Sequence, residues 1–359
     1  MQTVFFVNAL KGSLSTKEIC ALAKKFPFKI IPISDGGDGF LETFSYAYPK
    51  AKKCFVYAPN ALNKIKRTEY LIYKDIAFLE CAKIAGLAQI KPKGRNVLQA
   101  TSFGIGTVLK NAVKKGAKTI YIGLGGVAFN DGGCGILQAL GYRLLDKNDK
   151  QIPLGILGLL KLKKIILPDD FKLPKIICFS DVENKLFGPL GSARVYGPQK
   201  GANKKEVLLI DKALKNFQKV INKNLDKKFY GASGAVPMAL CGVLGAKIIK
   251  GTREIFKILK IEKEIQKASL VLTSEGCLDR QSLFGKAPYE ILKFAKKHKK
   301  HAVIICGKNK LTGDIKNLGV IEISALAKNE IDSIENAKKY LIKILWDIWG
   351  KLKKGLFFV

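Results

Sequence analysis

Short apolar runs recur along this chain, each leading into a polar, glycine-bearing loop and then into apolar residues at helical spacing. The alternation predicts strands at Thr3–Val7, Lys29–Ile33, Lys53–Tyr57, Glu69–Tyr73, Thr119–Ile122, Lys175–Phe179, Ser269–Thr273, 302–306 and 319–323. Helices are expected from near Thr16, over Phe40–Tyr46, Phe78–Leu87, Thr107–Lys115, after Gly133, over Lys204–Asn224 and 288–297, and at the C-terminal end. Strand, loop and helix in repeated order imply an α/β fold, with parallel sheets whose loops gather at the C-terminal strand edges.

The loop that organises this pattern lies in Gly123–Gly141, GLGGVAFNDGGCGILQALG. A strand, a glycine loop and a helix N-terminus form a natural anion site, since backbone N–H groups and the helix dipole face outward. Asp131 inside that loop is either a helix cap or a functional acid. Similar loops hold Asp35 and Asp38 (Ser34–Gly39), Asp181, and Glu275 with Asp279. Lys11 follows the first strand, where open sheets collect ligands. Lys200 stands in Tyr196-Gly-Pro-Gln-Lys-Gly201, beside amides that could cradle an anion.

At 359 residues two domains are expected. Eight scattered cysteines with no CxxC argue for reduced thiols rather than a disulfide or zinc framework. No basic leader precedes the first strand, and the uncharged stretch Gly231–Ala246 is too short and too rich in glycine for a membrane span. A cytoplasmic protein without membrane attachment is expected. The net charge of +34 raises nucleic-acid binding, but the lysines are spread over the whole length with no recognisable binding motif, so no nucleic-acid partner is expected. The two histidines, His298 and His301, sit in KKHKKH, a solvated basic run. Chemistry should therefore rest on carboxylates, lysines and amides.

The loops resemble, in order, those of the bacterial glycerate kinases of type 1. Lys11-Gly-Ser-Leu14 is similar to FKGSL, and Ser34–Gly39 to ADGGEG. Arg95-Asn96 with Thr101–Gly104 resembles RNP…TSYG, and Gly123–Gly141 resembles GIGGSATNDGGAGMLQALG. Asp181–Asn184 with Gly188-Pro189 is similar to CDVDNPL…GP, Gly197–Ala202 is GPQKGA, and Ser274–Lys286 resembles GEGRID.QT..GK. Departures replace polar family residues: Asn8 for Asp, Ala9 for Ser, Phe40, Ile105 and Phe129 for Thr, Val127 for Ser, and Cys277 for Arg.

The resemblance implies ATP-dependent phosphorylation of D-glycerate, with 2-phosphoglycerate favoured, using ATP and Mg²⁺; a homodimer is compatible with it. It also implies two α/β domains, one Rossmann-like and discontinuous (1–75 with 265–359) and one inserted (76–264), with the active-site cleft between them. Asp131, Asp279, Asp35 and Lys11 are the catalytic candidates, Asp131 and Asp279 as bases. Gly125, Gly126, Asn130, Gly132, Gly133, Lys200 and Lys286 are the nucleotide-side candidates, and Asp35, Asp181 and Glu275 the metal candidates. Two alternatives stand beside this reading. A dinucleotide-binding oxidoreductase would use Gly123-x-Gly125-x-x-Ala128 and Asp146. A non-catalytic basic binding protein descended from a kinase is the other.

Overall fold

A computed structural model describes residues 2–169, 172–279, 282, 286–311 and 319–356. In chain order it contains β1 (Thr3–Val7), α1 (Thr16–Ala23), β2 (Lys29–Pro32), α2 (Phe40–Ala47), β3 (Lys52–Pro59), β4 (Ile65–Tyr73), β5 (Ile76–Glu80) and α3 (Cys81–Ala85). There follow α4 (Phe103–Lys114), β6 (Thr119–Gly123), α5 (Cys134–Ala139), β7 (Arg143–Leu145), α6 (Ile156–Leu159), β8 (Lys164–Ile166), β9 (Lys175–Ser180), α7 (Ser192–Tyr196) and α8 (Lys204–Ile221). The rest is β10 (Lys247–Lys250), α9 (Gly251–Ile258), α10 (Ile261–Lys267), β11 (Leu270–Leu278), α11 (Ala287–Lys297), β12 (His301–Asn309), β13 (Gly319–Glu322), α12 (Glu330–Glu335) and α13 (Ala337–Lys353). The expected α/β class is present, with one all-parallel and one mixed main sheet.

Two compact units divide the chain: Met1–Ala47 with Thr252–Val359, and Tyr48–Gly251. The first holds a five-stranded sheet in the order β13-β12-β11-β1-β2, parallel throughout. On it pack α1 and α13, whose Ile19, Leu22, Leu341, Ile344, Leu345 and Ile348 join Phe5, Val7, Leu270 and Leu272 in one core. Burying such side chains stabilises by about 1.5–3 kcal/mol each. Ser15 caps α1 in a full capping box with Glu18, which the Ser-x-x-Glu spacing announces.

The second unit holds six strands in the order β10-β9-β6-β5-β4-β3. Four are parallel, and β3 and β4 continue them as an antiparallel meander. That meander is why residues 48–75, expected with the terminal domain, fall here: their hydrogen bonds run to β5. Residues 252–264, expected in the inserted domain, fall with the terminal unit.

Two further differences from the sequence pattern matter. Phe78–Glu80, expected as helix, belong to β5, paired in register with Tyr121–Gly123 of β6. A short apolar run buried on both faces reads alike as strand or helix. Likewise β11 does not end at Thr273 but stays paired with β12 through Leu278 and Asn309, so Glu275 projects from a sheet rather than a loop.

Gly276 on β11 lets the chain after β1 come close, because a Cβ there would lie 2.4 Å from the Lys11 backbone nitrogen. Gly276→Ala therefore forces backbone apart, and overpacking of this kind costs about 1–3 kcal/mol. The expected result in a denaturant titration is an earlier unfolding midpoint; an unchanged midpoint contradicts the close packing.

Candidate active site

In the first unit, charged side chains meet where β1, β2 and β11 end. Ser274 Oγ accepts from the Asn8 amide at 3.0 Å and donates to the Asn8 carbonyl at 2.7 Å, joining β1 to β11. Asn8 Nδ2 donates to Glu275 Oε2 at 3.3 Å, and Lys286 Nζ stands 4.0 Å from Glu275 Oε1. Glu275 is only 5% exposed. Burial pushes its pKa up to about 7, against the pull of Lys286, with the negative charge of Asp35 adding to the rise.

The loop after β2 carries Asp35 and Asp38, whose charges act on Lys11, an exposed side chain. The Lys11 pKa is raised, foremost by the charge of Asp35 and further by Asp38 and Glu275, with desolvation acting the other way. The loop is held by its own bonds: Gly36 N donates to Ser34 Oγ at 3.1 Å and Gly37 N to Asp35 Oδ1 at 3.1 Å. Gly39 takes φ +84°, and a Cβ there would strike Thr16 Oγ1 at 2.5 Å. Lys11, Asp35, Glu275 and Lys286, read separately from the sequence, are thus brought together.

Asp279 has local work. Its Oδ1 accepts from Ser282 N at 3.0 Å and Ser282 Oγ at 3.2 Å, a closed turn that favours a structural role over the expected one of base. Arg280, Gln281 and 283–285, part of the same motif, lie outside the described residues.

In the second unit, the Gly123–Gly141 stretch is built around Asp131. Its Oδ2 accepts from Ser102 N at 2.8 Å, Ser102 Oγ at 2.9 Å, Thr101 Oγ1 at 3.3 Å and Gly135 N at 3.3 Å, and its Oδ1 from Gly133 N at 3.0 Å. Asp131 is wholly buried, and burial raises its pKa despite these donors. The N–H groups expected to face a bound anion face this carboxylate instead, and Ile136 N donates to Ser102 Oγ at 3.1 Å. Gly132 and Gly133 have φ of +65° and +84°, and their missing side chains make room for Phe217 and Ala239. They serve packing. Of the four loop glycines, Gly126 is exposed and Gly125 half-buried.

Lys200 lies beneath the same loop. Its Nζ donates to the Phe129 carbonyl at 2.6 Å and to Asn130 Oδ1 at 2.9 Å. Burial brings its pKa down to about 7, with the charge of Asp131 opposing the fall. Asn130 Nδ2 is buried without a protein partner. Asp181 follows β9 and is half-buried.

The dinucleotide reading fails on this geometry. No helix follows β6 until Cys134. Asp146 belongs to a surface turn, its Oδ1 accepting from Asn148 N and Lys150 N.

Comparison with known proteins agrees with the loop order. Residues 3–350 match the Glycerate kinase family. The chain belongs to that family. It is 34% identical over 335 residues to a glycerate 2-kinase from Escherichia coli K12, covering 88% of this chain and 87% of that one. A glycerate kinase from Neisseria meningitidis is 32% identical over 360 residues, covering 95% and 96%. A crystal structure assigned as glycerate kinase 2 from Salmonella typhimurium LT2 superposes with TM-score 0.74 at 30% identity, covering 99% of each chain. The family activity is phosphorylation of glycerate with ATP as donor.

The hydrogen bonds of Asp131 generate a test. Asp131→Asn turns an amide N–H₂ toward N–H donors in a buried site, so the thermal midpoint should fall by several degrees. An unchanged midpoint with abolished turnover would instead give this carboxylate a direct role on substrate.

Proposed function

We propose that this enzyme transfers the γ-phosphoryl group of MgATP to the 2-hydroxyl of D-glycerate, with Glu275 as proton acceptor. The hydroxyl oxygen forms the new P–O bond, the bond from phosphorus to the ADP oxygen breaks, and the hydroxyl proton passes to Glu275. The observation that carries the reading is the buried Glu275 carboxyl with a pKa near 7, beside Lys286 and Asn8. A base whose pKa matches the working pH accepts a proton while remaining substantially ionised. The 2-hydroxyl is favoured by the loop order and by the E. coli relative named glycerate 2-kinase.

Lys11 and Lys286 supply cations for the glycerate carboxylate and the phosphoryl oxygens, charge stabilisation of the kind phosphoryl transfer needs. Asn8 stands where the family usually has Asp; its amide donates to Glu275 and so positions it without adding a second carboxylate. Among the described residues no cluster of three His, Cys, Asp or Glu groups converges to hold a metal on its own. A Mg²⁺ ion that arrives with phosphates needs only one or two carboxylates and keeps several waters. Asp35 and Asp38, on one loop, suit that task, and the ion would neutralise phosphate charge.

Glu275→Gln should lower kcat by about 10²–10⁴-fold, with ADP release followed in a coupled assay. In the wild type, kcat/KM should rise with pH through about 7 and then level; the Gln variant should lack that rise. Phosphorus NMR of the product should show 2-phosphoglycerate. Full activity in Glu275→Gln overturns the assignment, and 3-phosphoglycerate overturns the regiochemistry.

A stability effect of opposite sign accompanies this. Because the folded pKa of Glu275 exceeds its unfolded value, folding is favoured at low pH and loses that support as pH rises through about 7. Glu275→Gln should therefore raise the thermal midpoint at pH 8 more than at pH 5, with roughly 3 kcal/mol as the scale.

A further inference from the structure

The chain has two tryptophans, Trp346 and Trp349, and both lie on α13. The apolar face of this helix, Leu341, Ile344, Leu345 and Ile348, is already buried in the core. Trp346 lies off that face and is 56% exposed. It rests edge-on against Phe26, with ring centroids 5.1 Å apart, and Trp349 stands likewise against Phe28 at 6.3 Å. Trp349 is half-buried and packs against the core, whereas Trp346 is held at the surface by its contact with Phe26.

Charge surrounds these rings. Residues 339, 343, 346, 350 and 353 follow one another at helical spacing, so Lys339, Lys343 and Lys353 share a stripe with Trp346. All three lysines are exposed, and Lys353 Nζ lies 5.1 Å from the centroid of the Trp349 ring. Lys24 and Lys25, just before Phe26, are exposed as well. Asp347 is the one acid among residues 337–356.

The end of the helix adds aliphatic surface. Gly355 (φ +70°) turns the chain so that Leu356 N donates to the Lys351 carbonyl at 3.0 Å and Gly355 N to that of Leu352 at 3.1 Å. This is the glycine-terminated helix end in which an apolar residue normally packs back on the last turn. Here the residue it would meet is Lys351, and Leu356 stays 59% exposed.

We propose that this face of α13 is a docking surface for an anionic lipid bilayer. Indole rings favour the membrane interface, and each nearby lysine strengthens attraction to acidic headgroups. The long lysine stems can lie along the surface with their ammonium groups among the phosphates. A second copy of this chain would bring like charges together. A nucleic acid would use the rings and the lysines but has no use for Leu356. Binding is peripheral: no described helix is long and apolar enough to span a membrane.

Having only two tryptophans makes the test direct. In Trp349→Phe, emission reports Trp346 alone. Adding vesicles of phosphatidylcholine mixed with phosphatidylglycerol should shift that emission to the blue, and salt should reverse the shift. Vesicles of phosphatidylcholine alone should leave it unchanged. In co-sedimentation of the otherwise unaltered chain, Trp346→Ala should weaken binding at least severalfold. Lys343→Glu with Lys353→Glu should weaken it about tenfold or more, while Lys204→Glu with Lys205→Glu, on α8, should have little effect. The proposal is overturned by no shift with the anionic vesicles at low salt, by equal binding to neutral ones, or by equal loss in the α8 variant. A larger shift with single-stranded RNA, or one that follows protein concentration alone, also overturns it.

Discussion

The parallel pairing of β1 with β11 is the constraint on which the candidate site depends. Thr3–Phe6 run in register with Leu270–Thr273, so segments from opposite ends of the chain share one sheet centre. Parallel neighbours need long connections, and here the intervening chain includes the entire second unit. Ser274, bonded to both backbone groups of Asn8, extends the register one step beyond the strand. That step brings Asn8 and Lys11 to Glu275.

The charge balance of the protein gives this cluster its character. In a chain with 63 basic and 29 acidic side chains, gathering three carboxylates around one lysine is a local inversion of the prevailing sign. The three carboxylates raise the affinity of Lys11 for its proton. Burial, with Asp35 adding, does the same for Glu275. Lys11 therefore keeps its charge, while Glu275, with a pKa near 7, is the group able to receive a proton near neutrality. The loop carboxylate that stands out most in the sequence, Asp131, does something different: its oxygens accept from amides that would otherwise be orphaned at a helix start.

Much of this was legible in the sequence. The strand and loop alternation predicts the sheets, and the order of glycine loops carries the family resemblance with Lys11, Asp35, Glu275 and Lys286 among its residues. What stayed hidden has physical causes. Glu275 reads as a loop residue because Ser274-Glu-Gly-Cys lacks the apolar run of a buried strand, yet pairing with β12 carries β11 through it. Asp131 reads as an anion-site residue because its partners Thr101 and Ser102 stand about thirty positions away. No local pattern reports such a partner. Gly132 and Gly133 suggest room for phosphate, whereas Phe217 and Ala239 occupy that room. The membership of residues 48–75 turned on strand pairing, which periodicity alone does not specify.

The central claim is that Glu275 is held near neutral titration by its surroundings, and its protonation can be observed directly. Carbon-13 NMR of protein labelled at glutamate carboxyl carbons, with Glu275→Gln used to assign the resonance, follows that titration without reference to turnover. The account predicts a midpoint near pH 7, moving upward in Lys286→Met as a stabilising cation is removed. A midpoint close to the ordinary glutamate value of about 4.3, unaffected by loss of Lys286, would contradict it.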